Sequence, residues 1–135
     1  MTINLSLFLA ALAAVESGNN PSAIGGHGER SQFQMVEAVW RQHAAPGEPF
    51  ELATTNPAKA EEIAEKHVIW LTRELERHHT AVTVENLAIT WHGGLGAALV
   101  TGHTPAQGDY ANRIAAIYAE SVAKLPRDVP AQISA

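Results

Sequence analysis

The sequence predicts a single all-α domain, and three observations lead to that prediction. The chain has 135 residues, a length that fits one domain. Apolar residues recur at helical spacing in several segments, most clearly over residues 57–77. The signals of β-strands, which are hairpin turns and sustained alternation, are weak. We therefore expect helices packed around one core, in a chain that buries about two-thirds of its unfolded surface.

The predicted helices follow from their apolar faces and from residues that start or stop a helix. Residues 3–17 are apolar nearly all round, which is typical of a central helix, and Gly18 can end that helix in the left-handed conformation. Asn56 and Pro57 fit the cap and first turn of a helix that runs to Arg77. The other predicted helices cover residues 32–43, 83–91, 95–100 and 109–123, the last of them capped by Asp109.

Composition excludes several classes of protein. Cysteine is absent, so disulfides and thiolate metal sites are excluded. A formal net charge of -5 without a basic stripe argues against a nucleic-acid partner. The apolar run from Leu5 to Val15 is shorter than the roughly 20 residues of a membrane span. The first basic residue is Arg30, whereas a signal peptide carries its positive charge before the apolar run. We expect no membrane insertion, and localisation stays open.

Glu16 is the only charged residue between Thr2 and Asn19, and it comes at the end of the apolar first helix. Burial disfavours the charged form of a carboxyl group and raises its pKa. A carboxyl group that keeps its proton near neutral pH can act as a general acid. The alternative is a helix-end glutamate that points into solvent.

Three segments in order resemble the lytic transglycosylase and goose-type lysozyme superfamily. The first, "ESGNNPSAIG", contains Glu16 and Ser17 before an Asn-Pro turn, and "GERSQFQM" follows it with Ser31, Gln34 and Met35. The second, "ITWHGG" at 89–94, resembles the family's Ala-Tyr-Asn-x-Gly stretch. The third is Tyr110 in "DYANRIAAIY". Together the segments span about residues 8 to 118 of the chain.

The resemblance implies a lysozyme-like helical domain over residues 1–125 with a glycan-binding groove, and a tail over 126–135. Glu16 would protonate the β-1,4 glycosidic oxygen between N-acetylmuramic acid and N-acetylglucosamine in peptidoglycan. The substrate's acetamido group would assist, and Glu16 would then act as base to give a 1,6-anhydro product. No cofactor is implied. The implied substrate-binding residues are Ser17, Ser31, Gln34, Met35, Trp91, His92 and Tyr110.

The sequence departs from the family pattern at three positions. Ser31 stands where glycine is usual, and it could also cap the second predicted helix. Trp91 replaces a tyrosine, so a phenolic hydroxyl near Glu16 becomes at most an indole N–H donor. His92 replaces an asparagine. Trp91 could equally be a core residue.

Two other functions remain open. A hydrolytic lysozyme of the inverting kind needs a second carboxylate, roughly 6.5–9.5 Å from the acid, to activate water. Glu29 is the first candidate for that carboxylate and Glu37 the second, although a loop glutamate such as Glu29 can simply be solvated. The other alternative is a lysozyme-like module that binds glycan or a partner without cleaving it.

A metal site is the weaker interpretation of the seven histidines. No H-E-x-x-H motif occurs, and adjacent His78 and His79 point to different sides of a helix. We therefore expect no bound metal. The expected partner is the glycan strand of peptidoglycan, and we expect a monomer, because no heptad seam or large apolar stripe occurs. The remaining histidines are His27, His43, His67, His92 and His103.

Overall fold

The computed structural model describes residues 2–99 and 102–126, and helices account for most of them. β-Structure in these two segments is limited to isolated bridges such as those of Arg30 with Ile24 and with Met35. The predicted all-α class is therefore confirmed. The helices are α1 (Leu5–Ser17), α2 (Glu37–His43), α3 (Leu52–Thr55), α4 (Pro57–Arg77), α5 (Val84–Gly93), α6 (Leu95–Leu99) and α7 (Pro105–Ala123).

Helix α1 contributes a large share of the core and packs against α7 and α4. Phe8 and Leu12 are fully buried, as expected for a helix that is apolar nearly all round. The Asn4 side chain caps the helix by accepting a hydrogen bond from Leu7 N at 3.1 Å. Gly18 ends α1 at a φ of 65°, the left-handed conformation that glycine adopts without steric cost. These two ends place Glu16 in the last turn of α1.

Helix α4 has the bounds that its sequence predicts. The Asn56 side chain accepts a hydrogen bond from Lys59 N at 3.1 Å, and Pro57 occupies the first turn. Its inward face buries Ile63, His67 and Leu71 against the neighbouring helices α1, α2 and α5. The helix therefore forms one wall of the core.

The second predicted helix begins at Glu37 rather than at residue 32, so the prediction was wrong for its first turn. Ser31 and Gln34 have φ values of 81° and 53°, which an α-helix does not allow. Contacts distant in sequence hold this conformation, since Ala23 O accepts hydrogen bonds from Ser31 N at 3.1 Å and Gln34 Nε2 at 3.2 Å. Ser31 therefore does not cap α2.

Helix α7 begins at Pro105 rather than at Asp109, so the predicted cap was also wrong. Thr104 and Gln107 form a capping box: Gln107 N donates to Thr104 Oγ1 at 3.2 Å, and Thr104 N donates to Gln107 Oε1 at 2.9 Å. With this reciprocal pair, α7 begins about one turn before Asp109. Helix α3 was not predicted, and the predicted tail lies, after Pro126, outside the described residues.

In the part of the chain that the structure describes, no helix combines the length and the apolar character needed to cross a membrane.

Candidate active site

The Glu16 carboxyl group lies between the last turn of α1 and the start of α7. Tyr110 of α7 donates its hydroxyl hydrogen to Glu16 Oε2 at 2.5 Å. Glu16 is partly buried and Tyr110 is also partly buried. The pair therefore joins a carboxyl group to a phenol at the edge of the core.

The pKa of Glu16 is raised from its ordinary value of 4.5. Burial is the largest cause, because water can no longer solvate the charged form. The Tyr110 hydrogen bond and the nearby His92 lower this pKa, and the negative charge of Glu29 raises it again. The pKa of the Tyr110 hydroxyl is also raised, by burial and by the negative charge of Glu16. Tyr110 therefore keeps its proton and remains a hydrogen-bond donor. The result is a carboxyl group that keeps its proton to higher pH than an ordinary glutamate does.

Helix α5 supports this pair through His92 and Gly93. The His92 and Tyr110 rings lie 4.8 Å apart, with an angle of 48° between their planes. A methyl group added to Gly93 would lie 2.9 Å from Ala97 Cβ and would clash with Nε2 of Gln107, the residue whose Oε1 accepts a hydrogen bond in the capping box of α7. Glycine at position 93 therefore allows the end of α5 to approach the start of α7 closely.

Glu16 faces a cleft of about 150 Å³. Its lining combines two carboxyl groups, an amide, two imidazoles, an indole and three apolar side chains. Val36 is 46% exposed at this cleft, so it offers an apolar surface to a ligand. The lining residues are Glu16, Glu29, Gln34, Met35, Val36, Val39, His67, Trp91 and His92.

Glu29 is the second carboxyl group of the cleft, and its pKa moves in the opposite direction. Glu29 Oε1 accepts a hydrogen bond from His27 N at 2.8 Å. Hydrogen bonds from the backbone N–H groups of Glu29 and His27 lower the pKa of Glu29 below its ordinary value, because they stabilise the carboxylate. Glu37, in contrast, is exposed on α2 and does not line the cleft.

The loop between α1 and α2 shapes one side of the cleft through hydrogen bonds to its own backbone. Gln34 Nε2 donates to Ser31 O at 2.8 Å as well as to Ala23 O. A methyl group on Gly25 would lie 2.6 Å from Gln34 Oε1 and 2.8 Å from Glu29 Oε1, so glycine leaves room for both side chains. Gln34 thus both faces the cleft and holds the loop.

Ser17 and Ser31 do not line the cleft. Ser17 Oγ donates to Gln32 O at 2.8 Å and accepts from Asn20 N at 3.0 Å, so it joins the end of α1 to the following loop. Ser31 is fully buried, and its Oγ accepts from Phe33 N at 3.1 Å. In this structure both hydroxyl groups organise the backbone beside Glu16.

The hydrogen bond to Glu16 comes from Tyr110, whereas Trp91 bonds to the loop between α1 and α2. The Trp91 indole N–H donates to Phe33 O at 3.3 Å and so fixes α5 to the α1–α2 loop. The phenolic hydroxyl beside Glu16 comes from Tyr110.

His67 lies on the inward face of α4, and its position in the cleft was not predicted. It is only 7% exposed and lines the cleft together with Glu16. The one signal in the sequence was that it is the single histidine on the apolar face of α4. Over residues 2–99 and 102–126, no three histidine, aspartate or glutamate side chains are grouped as metal ligands would be.

The fold and the cleft define an all-helical domain with two glutamates of opposite pKa shift at one site. No protein-family model, curated protein or solved structure matches this chain.

Proposed function

We propose that this domain is a peptidoglycan lytic transglycosylase that cleaves the β-1,4 bond between N-acetylmuramic acid and N-acetylglucosamine. The observation that carries the proposal is Glu16: a partly buried carboxyl group of raised pKa, bonded to Tyr110 at 2.5 Å and open to a cleft. A group of this kind matches the general acid that glycosidic cleavage requires. The ordered segments around Glu16, Trp91 and Tyr110 support the same class of enzyme.

In this mechanism Glu16 gives its proton to the glycosidic oxygen as the bond to the muramoyl anomeric carbon breaks. The carbonyl oxygen of the muramoyl acetamido group forms the new bond at that carbon. The Glu16 carboxylate then accepts the proton of the muramoyl 6-hydroxyl, whose oxygen displaces the acetamido oxygen and leaves a 1,6-anhydro ring. Tyr110 stabilises the carboxylate between these steps, because its hydroxyl favours the charged form.

Hydrolysis by an inverting mechanism is the second candidate, and Glu29 favours it. Both glutamates line the same cleft, and their pKa values are shifted in opposite directions. Such a divergence is typical of an acid and a base that work as a pair. Glu29 would then remove a proton from the water that attacks the anomeric carbon.

The test is mass spectrometry of the products from purified peptidoglycan, comparing the wild type with Glu16→Gln, Glu29→Gln and Glu37→Gln. Transglycosylation gives anhydro-muramoyl ends, and hydrolysis gives reducing ends heavier by one water. We expect anhydro ends, a loss of about 10²–10⁴-fold with Glu16→Gln, and little change with the exposed control Glu37→Gln. Reducing ends that disappear with Glu29→Gln would establish the hydrolase instead. Full activity of a folded Glu16→Gln variant would refute both mechanisms.

The pH dependence of kcat/KM separates the two mechanisms independently. Either one loses activity as the pH rises through the raised pKa of Glu16, because the acid loses its proton. Hydrolysis also loses activity as the pH falls through the lowered pKa of Glu29, so its profile is bell-shaped. We expect the transglycosylase to lack that acidic limb. In the Glu29→Gln variant the alkaline limb should move to slightly lower pH, because this change removes the negative charge that raises the pKa of Glu16.

A further inference from the structure

His67 is a polar side chain in the floor of the cleft for which the mechanism above has no use. It lies in the middle of α4 and is 7% exposed. Burial, together with the nearby His43, lowers the pKa of His67 to about 4, so the ring is neutral at neutral pH. A neutral imidazole carries one donor and one acceptor and does not compete for the proton of Glu16.

Three neighbours from three helices fix the orientation of the His67 ring. Its Nδ1 lies 3.0 Å from Nε2 of His43 on α2, so these two nitrogens share one hydrogen bond. Trp70 of α4 stacks on the ring at 5.6 Å with an angle of 14°. Trp91 of α5 meets its edge at 5.5 Å and 65°. The ring is therefore held in place before any ligand enters.

The bond to His43 occupies Nδ1 and leaves Nε2 for a ligand. Among the described residues, His43 is the one hydrogen-bond partner of the His67 side chain. If His43 donates, His67 carries its hydrogen on Nε2 and is a donor there; if His67 donates, its Nε2 is an acceptor. In both cases Nε2 offers one directed hydrogen bond on a side chain that lines the cleft.

The surroundings of His67 indicate which chemical group it receives. Met35, Val39 and Trp91 line the same cleft and present apolar surface. An acetamido group has a methyl that packs on such a surface and an amide whose C=O or N–H suits either form of Nε2. A hydroxyl group has no apolar part and would leave that surface uncovered.

We propose that His67 is a substrate-positioning residue whose Nε2 hydrogen-bonds the acetamido group of a glycan residue bound in the cleft. This inference rests on the proposed function, because it takes the ligand to be an N-acetylated glycan. To the proposed function it adds that His67 is the side chain by which this cleft distinguishes an N-acetylated sugar from an unacetylated one.

The test measures binding of N-acetylglucosamine oligomers and of their de-N-acetylated counterparts to the Glu16→Gln protein, which holds the glycan without cleaving it. His67→Phe keeps an aromatic ring against Trp70 and removes both nitrogens. We expect it to weaken binding of the acetylated oligomer about three- to tenfold, the equivalent of one neutral hydrogen bond, and to leave the other oligomer unchanged. His67→Gln, which supplies an amide in place of the imidazole, should weaken binding of the acetylated oligomer less than His67→Phe does. His78→Phe is the matched control on the exposed end of α4 and should change neither affinity.

A measurement on the native His67 ring keeps the test decisive if the variants fail to fold. In the Glu16→Gln protein, the nitrogen NMR signal of His67 Nε2 should shift when the acetylated oligomer binds and stay unchanged with the de-N-acetylated one. This inference alone is overturned if both oligomers bind and His67→Phe shows no selective loss of affinity for the acetylated one. It is overturned equally if the acetylated oligomer binds without shifting the Nε2 signal. Absence of any glycan binding overturns the proposed function together with it.

Discussion

At the residue scale, the pair of Glu16 and Tyr110 combines two opposing influences on one proton. Burial raises the pKa of Glu16, and the Tyr110 hydroxyl lowers it by stabilising the carboxylate. Glu16 thus keeps its proton to higher pH than an ordinary glutamate, and the Tyr110 hydroxyl stabilises the carboxylate that remains when the proton leaves. The same hydroxyl keeps its own hydrogen, because the pKa of Tyr110 is raised.

Tyr110→Phe separates these two influences. Without the hydroxyl, Glu16 loses the largest influence that lowers its pKa, so this pKa rises further and the alkaline limb of the pH profile moves to higher pH. The carboxylate formed during reaction also loses a charge-assisted hydrogen bond, so we expect kcat to fall by about tenfold or more. The measurement is kcat against pH on peptidoglycan fragments. Tyr118→Phe, on the same helix but bonded to Asn4 N, is the matched control. An unchanged alkaline limb in Tyr110→Phe would contradict this account.

At the scale of elements, the start of α7 and the end of α5 hold Tyr110 beside Glu16. The capping box of Thr104 and Gln107 fixes the first turn of α7, and Tyr110 follows in the second turn. Gly93 allows α5 to lie close to that turn. The position of the phenol therefore depends on a helix cap that makes no contact with the carboxyl group itself.

Two cap substitutions test whether the start of α7 matters for activity beyond its effect on stability. Thr104→Ala and Asn56→Ala each remove a side-chain N-cap, and each should lower the free energy of unfolding by about 1 kcal/mol. We expect only Thr104→Ala to reduce kcat, because α7 carries Tyr110 and the start of α4 carries no residue of the cleft. Thermal unfolding and kcat at a temperature where both variants are folded provide the comparison. Equal kcat in the two variants would show that the cap serves stability alone.

At the scale of the whole molecule, the negative net charge would oppose approach to the anionic cell wall that is the substrate in the proposed function. The chain has a formal net charge of -5, and like charges repel over a Debye length of about 8–10 Å at physiological salt. Ion pairs among the described residues, such as Lys59 with Glu48 and Arg77 with Glu74, leave the sign of the net charge unchanged. The repulsion is therefore a property of the molecule rather than of the cleft.

Salt should accordingly raise activity on intact walls and leave activity on small fragments unchanged. Between about 0.01 M and 0.15 M salt the Debye length falls from roughly 30 Å to 8 Å, which screens the long-range repulsion. We expect lysis of whole cell walls to accelerate over this range, while cleavage of short neutral glycan fragments stays constant. Slower wall lysis with added salt would show that local attraction at the wall exceeds this repulsion.

Local signals in the sequence determined most of the helices and the chemistry of Glu16. Asn56, Pro57 and the apolar face of α4 gave a helix with the observed bounds, because caps and periodicity act over a few residues. Glu16 stood out because a lone carboxyl group ends an apolar helix, and burial raises its pKa as predicted. Its catalytic role remains a proposal, as does the role of every other residue of the cleft.

Only the tertiary structure decided the features that depend on contacts between distant segments. Ser31 and Gln34 leave the helical conformation because their partner, Ala23 O, lies in another part of the loop. Tyr110 reaches Glu16 across 94 positions of sequence, and His67 enters the cleft between α2 and α5. Such hydrogen bonds and ring contacts form only when separate elements pack together. For that reason periodicity predicts none of these contacts, and Tyr110 was assigned to the site of Glu16 only through the resemblance of its segment.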